Sequence, residues 1–108
     1  MCGRKTLTMS KKAIIEELMV DEWQVKDYTP SYNIAPTQHS LVLVKERGYN
    51  IVRSMRWGLI PVWSKNELYG SKMINARLET VTTKPSFKNL IPKNRCIVLS
   101  NGYYEWKQ

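Results

Sequence analysis

The chain has 108 residues, 43% hydrophobic and 24% charged, which allows one domain with a modest core. Four Trp and six Tyr argue against disorder, no run of about 18 apolar residues is present to span a membrane, and two cysteines are too few for a disulfide framework. The net charge of +8 comes wholly from residues 28–108, with twelve bases against four acids, while residues 1–27 carry five of each.

In chain order, Met1-Cys2-Gly3-Arg4-Lys5 lacks the apolar run of a signal peptide, which predicts a cytoplasmic protein, nucleoid-associated if bacterial. The one clear helix is expected from Ser10 to about Val25. Ile14, Ile15, Leu18 and Met19 share an apolar face there, and Thr8 or Ser10 serves as cap. Asp27–Ser31 reads as a turn, and His39 falls in a polar loop with no evident role. Leu41–Val44 is a short apolar strand, Glu46–Asn50 has turn character, and Ile51–Trp57 is the return strand. Gly58 and Pro61 then open a loop around Trp63. Residues 75–80 read equally as strand or short helix, residues 82–86 as loop, and Phe87–Leu90 as a helical turn. Cys96–Leu99 is expected to be a buried strand with Cys96 in the core. The class is α+β with strands dominant and one N-terminal helix.

Gly102–Trp106 is aromatic-rich, and only Lys107 and Gln108 follow it. We read the chain as a fragment, or as half of something another chain completes. Strands left without partners would then favour a homodimer or strand exchange.

Cys2 carries the most distinctive chemistry. Methionine aminopeptidase removes Met1 before a small side chain, and removal leaves an amine and a thiol on adjacent carbons. Such a pair condenses with an aldehyde: the amine forms an iminium, and the thiol closes a thiazolidine ring. An α-amine titrates near ~8 and a thiol near ~8.5, so reactive fractions of both coexist at neutral pH. The alternative is an incidental second residue.

Glu105, between Tyr104 and Trp106, is either a desolvated general acid/base or a salt-bridge partner. Asn75 either binds a substrate oxygen or caps a turn. Trp57 and Trp63 either stack on bases or pack in the core. Arg4 and Arg77 are phosphate ligands or surface residues. A basic, aromatic-rich segment is the footprint of a single-strand nucleic-acid binder, and equally of a solvated surface that happens to be basic. One histidine and no CxxC pair leave no expected metal site, and no cofactor is expected.

Five segments in order sharpen this reading: Met1–Arg4, Tyr32–Thr37, Trp57–Trp63, Ile74–Thr80 and Asn101–Lys107. Together they resemble the SRAP family, the SOS-response-associated peptidases now described as abasic-site processing proteins. The resemblance runs from residue 2 to residue 107 and implies one SRAP domain over residues 1–108, its N-terminal portion, with a mixed-sheet or open barrel-like fold. It implies that Cys2 links covalently to the ring-opened aldehyde of an abasic site in single-stranded DNA. Asn75 would hold the sugar or the Cys2 amine, and Glu105 would move protons. Arg4 and Arg77 would grip phosphates, while Asn33, Pro36, Trp57 and Trp63 would wall the DNA groove. The family name further implies self-removal of the residue before Cys2. Family members are longer, with a further catalytic His that His39 does not match, and often carry a second aromatic where this chain has Ser64.

Overall fold

The computed structural model describes residues 2–105. Its strands form two sheets, and the fold is α+β with no closed barrel. The first sheet joins β1 (Lys5–Leu7), β3 (Ser31–Ile34) and β7 (Gly102–Tyr103) in the order β3-β1-β7, both pairings antiparallel. The second runs β2-β5-β4-β6, built from β2 (Glu22–Trp23), β4 (His39–Glu46), β5 (Tyr49–Arg56) and β6 (Ile97–Val98).

The β4–β5 hairpin forms where alternation and turn chemistry agree. Glu46 pairs with Tyr49, so Arg47 and Gly48 alone make the turn, at φ 52° and 83°. Two left-handed residues match the twist of the strands they join. His39 is the first residue of β4 rather than part of a loop, because it pairs with Arg56 across the ladder.

The helix, α1, covers only Lys11–Leu18, shorter than the sequence pattern predicts. Ser10 caps it as expected, its hydroxyl accepting from the Ala13 N–H at 3.1 Å. Met19 then turns left-handed at φ 49°, and the Asn50 side chain donates to the carbonyls of Leu18 and Met19. Capture by β5 wins over continued helix: Trp23 pairs in parallel with Val52, and the Asp21 carboxylate accepts from the Asn50 N–H at 2.7 Å. Met19 is exposed as a result, not part of the buried face.

One core joins both sheets and the helix. Leu7, Ile14, Ile34, Leu41, Val52 and Leu99 form it, with Trp23, Tyr28 and Trp57 packed at its margin. Opposed residues share a face, so Leu43 with Val52 and Leu41 with Ser54 define the core side of the second sheet. Ser40 with Met55 and Val42 with Val98 lie on the other side, which faces a cavity. The β4 strand therefore separates core from cavity.

The expected buried strand at Cys96–Leu99 is corrected in part. It shrinks to Ile97–Val98 at the sheet edge, and Cys96, Ile97 and Val98 are exposed. Only Leu99 reaches the core, because β6 pairs with β4 on one side and is the outermost strand on the other. Residues 75–77 have no regular structure and residues 78–90 form a chain of turns, including the expected one at Phe87–Leu90, where Leu90 N–H donates to Phe87 O at 2.9 Å. No described helix is long and apolar enough to cross a membrane.

Candidate active site and nucleic-acid interface

The cavity on the outer side of β4 measures about 730 Å³. Cys2, Asn75 and Glu105 all line it, although they lie far apart in sequence. Cys2 enters from the segment leading into β1, and Glu105 follows β7, the strand paired with β1. Asn75 arrives on the turn-rich segment, where its Nδ2 donates to the Cys2 carbonyl at 3.0 Å. That bond fixes the backbone of Cys2 while leaving its thiol half-buried, 3.6 Å from the Arg4 carbonyl.

Trp57 lines the cavity and also braces it. Its indole is half-buried against the core, and Nε1 donates to the Ile74 carbonyl at 3.0 Å, holding the residue before Asn75. A second clamp is backbone only: the Leu59 N–H donates to Met73 O at 2.9 Å. Gly58, at φ 127°, lets the loop pass Gly70 closely enough that a Cβ would lie 2.2 Å from the Gly70 oxygen. Trp63 leaves the cavity and stands 60% exposed, its ring edge-on to Tyr69 at 5.6 Å.

Arg4 and Asn33 meet on the exposed face of the first sheet, with Arg4 Nη1 donating to Asn33 Oδ1 at 3.0 Å. Pro36 follows in the loop whose C-terminal end bonds to the Trp57 backbone, through Thr37 N–H and Gln38 O. Arg77 is exposed two residues beyond Asn75. Glu105 is exposed rather than enclosed, and Tyr104 turns its hydroxyl to the Tyr32 carbonyl at 2.9 Å. Trp106, the other expected neighbour of Glu105, and Met1 lie outside the described residues.

Sequence reasoning missed two cations of the cavity wall, Lys5 and Arg56. Lys5 is only 4% exposed, and its Nζ donates to Ser40 Oγ at 2.5 Å and to the Leu99 carbonyl at 2.7 Å. Burial pushes its amine below the ordinary lysine range, partly offset by attraction to Cys2. Lys5 and Leu7 are both buried on the three-residue β1, a strand the sequence pattern does not predict. Arg56 lies partly buried beside the cavity, with Nε lacking a hydrogen-bond partner. Among the described residues, no group of three His, Cys, Asp or Glu could hold a metal ion.

Comparison with known proteins gives a consistent picture. The chain is 45% identical over 109 residues to the abasic site processing protein YoaM of Bacillus subtilis, covering 100% of this chain and 48% of that one. It is 34% identical over 131 residues to the abasic site processing protein HMCES of Pongo abelii, covering 37% of its length. The chain thus spans about half the length, or less, of these curated relatives. A crystal structure of a Bordetella bronchiseptica protein shares the fold at a TM-score of 0.75 and 20% identity, over 96% of this chain and 50% of that one. The profile of the SOS response associated peptidase (SRAP) family matches residues 1–108, and the chain belongs to that family.

Proposed function

We propose that the cavity captures the aldehyde of an abasic site in single-stranded DNA as a covalent adduct on Cys2. The observation that carries the reading is the convergence of Cys2, Asn75 and Glu105 on one cavity, with Asn75 bonded to Cys2 itself. After loss of Met1, the Cys2 nitrogen adds to the aldehyde carbon and water leaves, giving an iminium. The thiolate then adds to that carbon and closes the thiazolidine, so the net change is loss of one water. Asn75 orients the Cys2 backbone, and Glu105 gives a proton to the departing oxygen and takes it back on reversal. The same groups would serve release of Met1.

An abasic site offers no base to read, so recognition falls to phosphates and the stacking of neighbouring bases. Arg4 and Arg77 meet phosphates, Asn33 and Pro36 line the path of the strand, and exposed Trp63 supplies the stacking face. Trp57 forms part of the cavity wall and holds the Ile74 carbonyl beside Asn75.

The test is a denaturing gel after incubation with abasic and intact oligonucleotides. A shifted band with abasic DNA alone is expected. Cys2→Ala should abolish it while salt-sensitive binding persists. Crosslinking that survives Cys2→Ala without a reductant, or intact mass retaining Met1 in the crosslinked protein, would overturn the mechanism. Equal non-covalent binding of both oligonucleotides, with no shifted band, would leave a single-strand binding module.

A further inference from the structure

We propose that Lys5 gives the same cavity a second carbonyl-reactive amine, which takes an aldehyde as a reversible imine at Nζ. The inference deepens the aldehyde reading of the cavity and rests on it.

Lys5 crosses from β1 to the second sheet, and its amine ends between Ser40 and Leu99, among the apolar walls of the cavity. Both acceptors are uncharged. A neutral amine has two N–H groups and one lone pair, and two acceptors satisfy it fully. An ammonium would carry a third N–H that requires a partner. The hydrogen-bond count thus fits the neutral, nucleophilic form, and desolvation acts in the same direction. Lysines placed in this way, buried and hydrogen-bonded to uncharged acceptors, are the ones that add to carbonyls.

The step balances without an outside reagent. The Nζ lone pair bonds to the aldehyde carbon while the carbonyl π pair moves to oxygen, which takes a proton as nitrogen releases one. Loss of water from this carbinolamine leaves the C=N bond. No thiol on an adjacent carbon closes a ring at Lys5, so water reverses the imine, whereas the Cys2 adduct is sealed by sulfur. Lys5 therefore holds an aldehyde transiently where Cys2 holds it durably.

The test uses the full chain with Cys2→Ala and a single-stranded oligonucleotide carrying one abasic site. Incubation is with and without sodium cyanoborohydride, whose hydride reduces an imine to a stable secondary amine. Mass spectrometry then maps the adduct. A reductant-dependent adduct on Lys5 is expected, falling at least tenfold in Cys2→Ala/Lys5→Arg, whose guanidinium keeps the hydrogen-bond donors at that position but forms no imine. A reduced adduct confined to the N-terminal amine or to exposed lysines overturns the proposal, and that result needs no Lys5 variant to fold. If the wild-type protein still forms its reductant-independent adduct in that case, the aldehyde reading stands without Lys5. Absence of every adduct overturns both.

Discussion

At the scale of single residues, the site depends on side chains whose roles only the fold reveals. Asn75 donates to the carbonyl of Cys2, a bond the sequence carries no mark of, since 73 positions separate the two. Asn75→Ala removes one hydrogen bond of about 1 kcal/mol, so crosslinking should slow by roughly fivefold to tenfold with the fold intact. A single-turnover time course checks this, and an unchanged rate would remove Asn75 from the mechanism. Lys5 makes a separate prediction in stability. Its folded pKa is lowered, so between that value and the ordinary one the unfolded chain binds more protons, and stability rises with pH. Lys5→Met lacks that rise. Urea midpoints taken from neutral pH toward the ordinary lysine range should climb in the wild type relative to the variant. Cys2, Asn75 and Glu105 were legible as a set only through the resemblance to a family, because each alone had an ordinary alternative. Lys5 was not legible, because β1 spans only three residues and is defined by its pairing with the distant β3 and β7.

At the scale of elements, local chemistry was readable where it closed on itself. The Ser10 cap and the Arg47-Gly48 turn both satisfy their own backbone within a few residues, and the structure has both. The end of α1 was not readable, because Asn50, 31 positions beyond Met19, supplies the capping bond and β5 the competing strand partner. The turn-rich segment around Asn75 has no pattern of its own and is held by Trp57 and by the Leu59–Met73 bond. Its position depends on Gly58. Gly58→Ala meets the Gly70 backbone at 2.2 Å and a positive φ together, so the loop must shift. Gly48→Ala meets the positive φ alone, in open space, and should cost about 1–2 kcal/mol. Gly58→Ala should therefore lower the melting temperature more than Gly48→Ala and slow crosslinking, whereas Gly48→Ala leaves crosslinking unchanged. Equal melting temperatures and equal crosslinking rates would show that the Gly58–Gly70 crossing does not frame the cavity.

At the scale of the whole molecule, two features were legible from composition and one was not. The basic excess beyond residue 27 and the mixed class were plain. The sheet edge was not: β6 was expected to be buried, yet Ile97 and Val98 stand 62% and 57% exposed, because burial of an outer strand depends on what lies beside it rather than on its apolar content. Charge gives the most direct test at this scale. Each phosphate neutralised on single-stranded DNA contributes about −0.7 to the slope of log K against log salt. Arg4 and Arg77 flank the cavity segments, so Arg4→Ala/Arg77→Ala should flatten the slope by about 1.4 if each meets one phosphate. Arg47 provides the contrast. It sits at the hairpin tip just past β4, five positions from Val42 of the cavity wall and roughly 17 Å from it at strand rise. Arg47→Ala removes the same unit of net charge as either single variant. A slope unchanged by Arg47→Ala but flattened by Arg4→Ala and Arg77→Ala places the strand across the cavity mouth. Equal flattening by all three would mean that the protein attracts DNA through net charge alone, with no defined path for the strand.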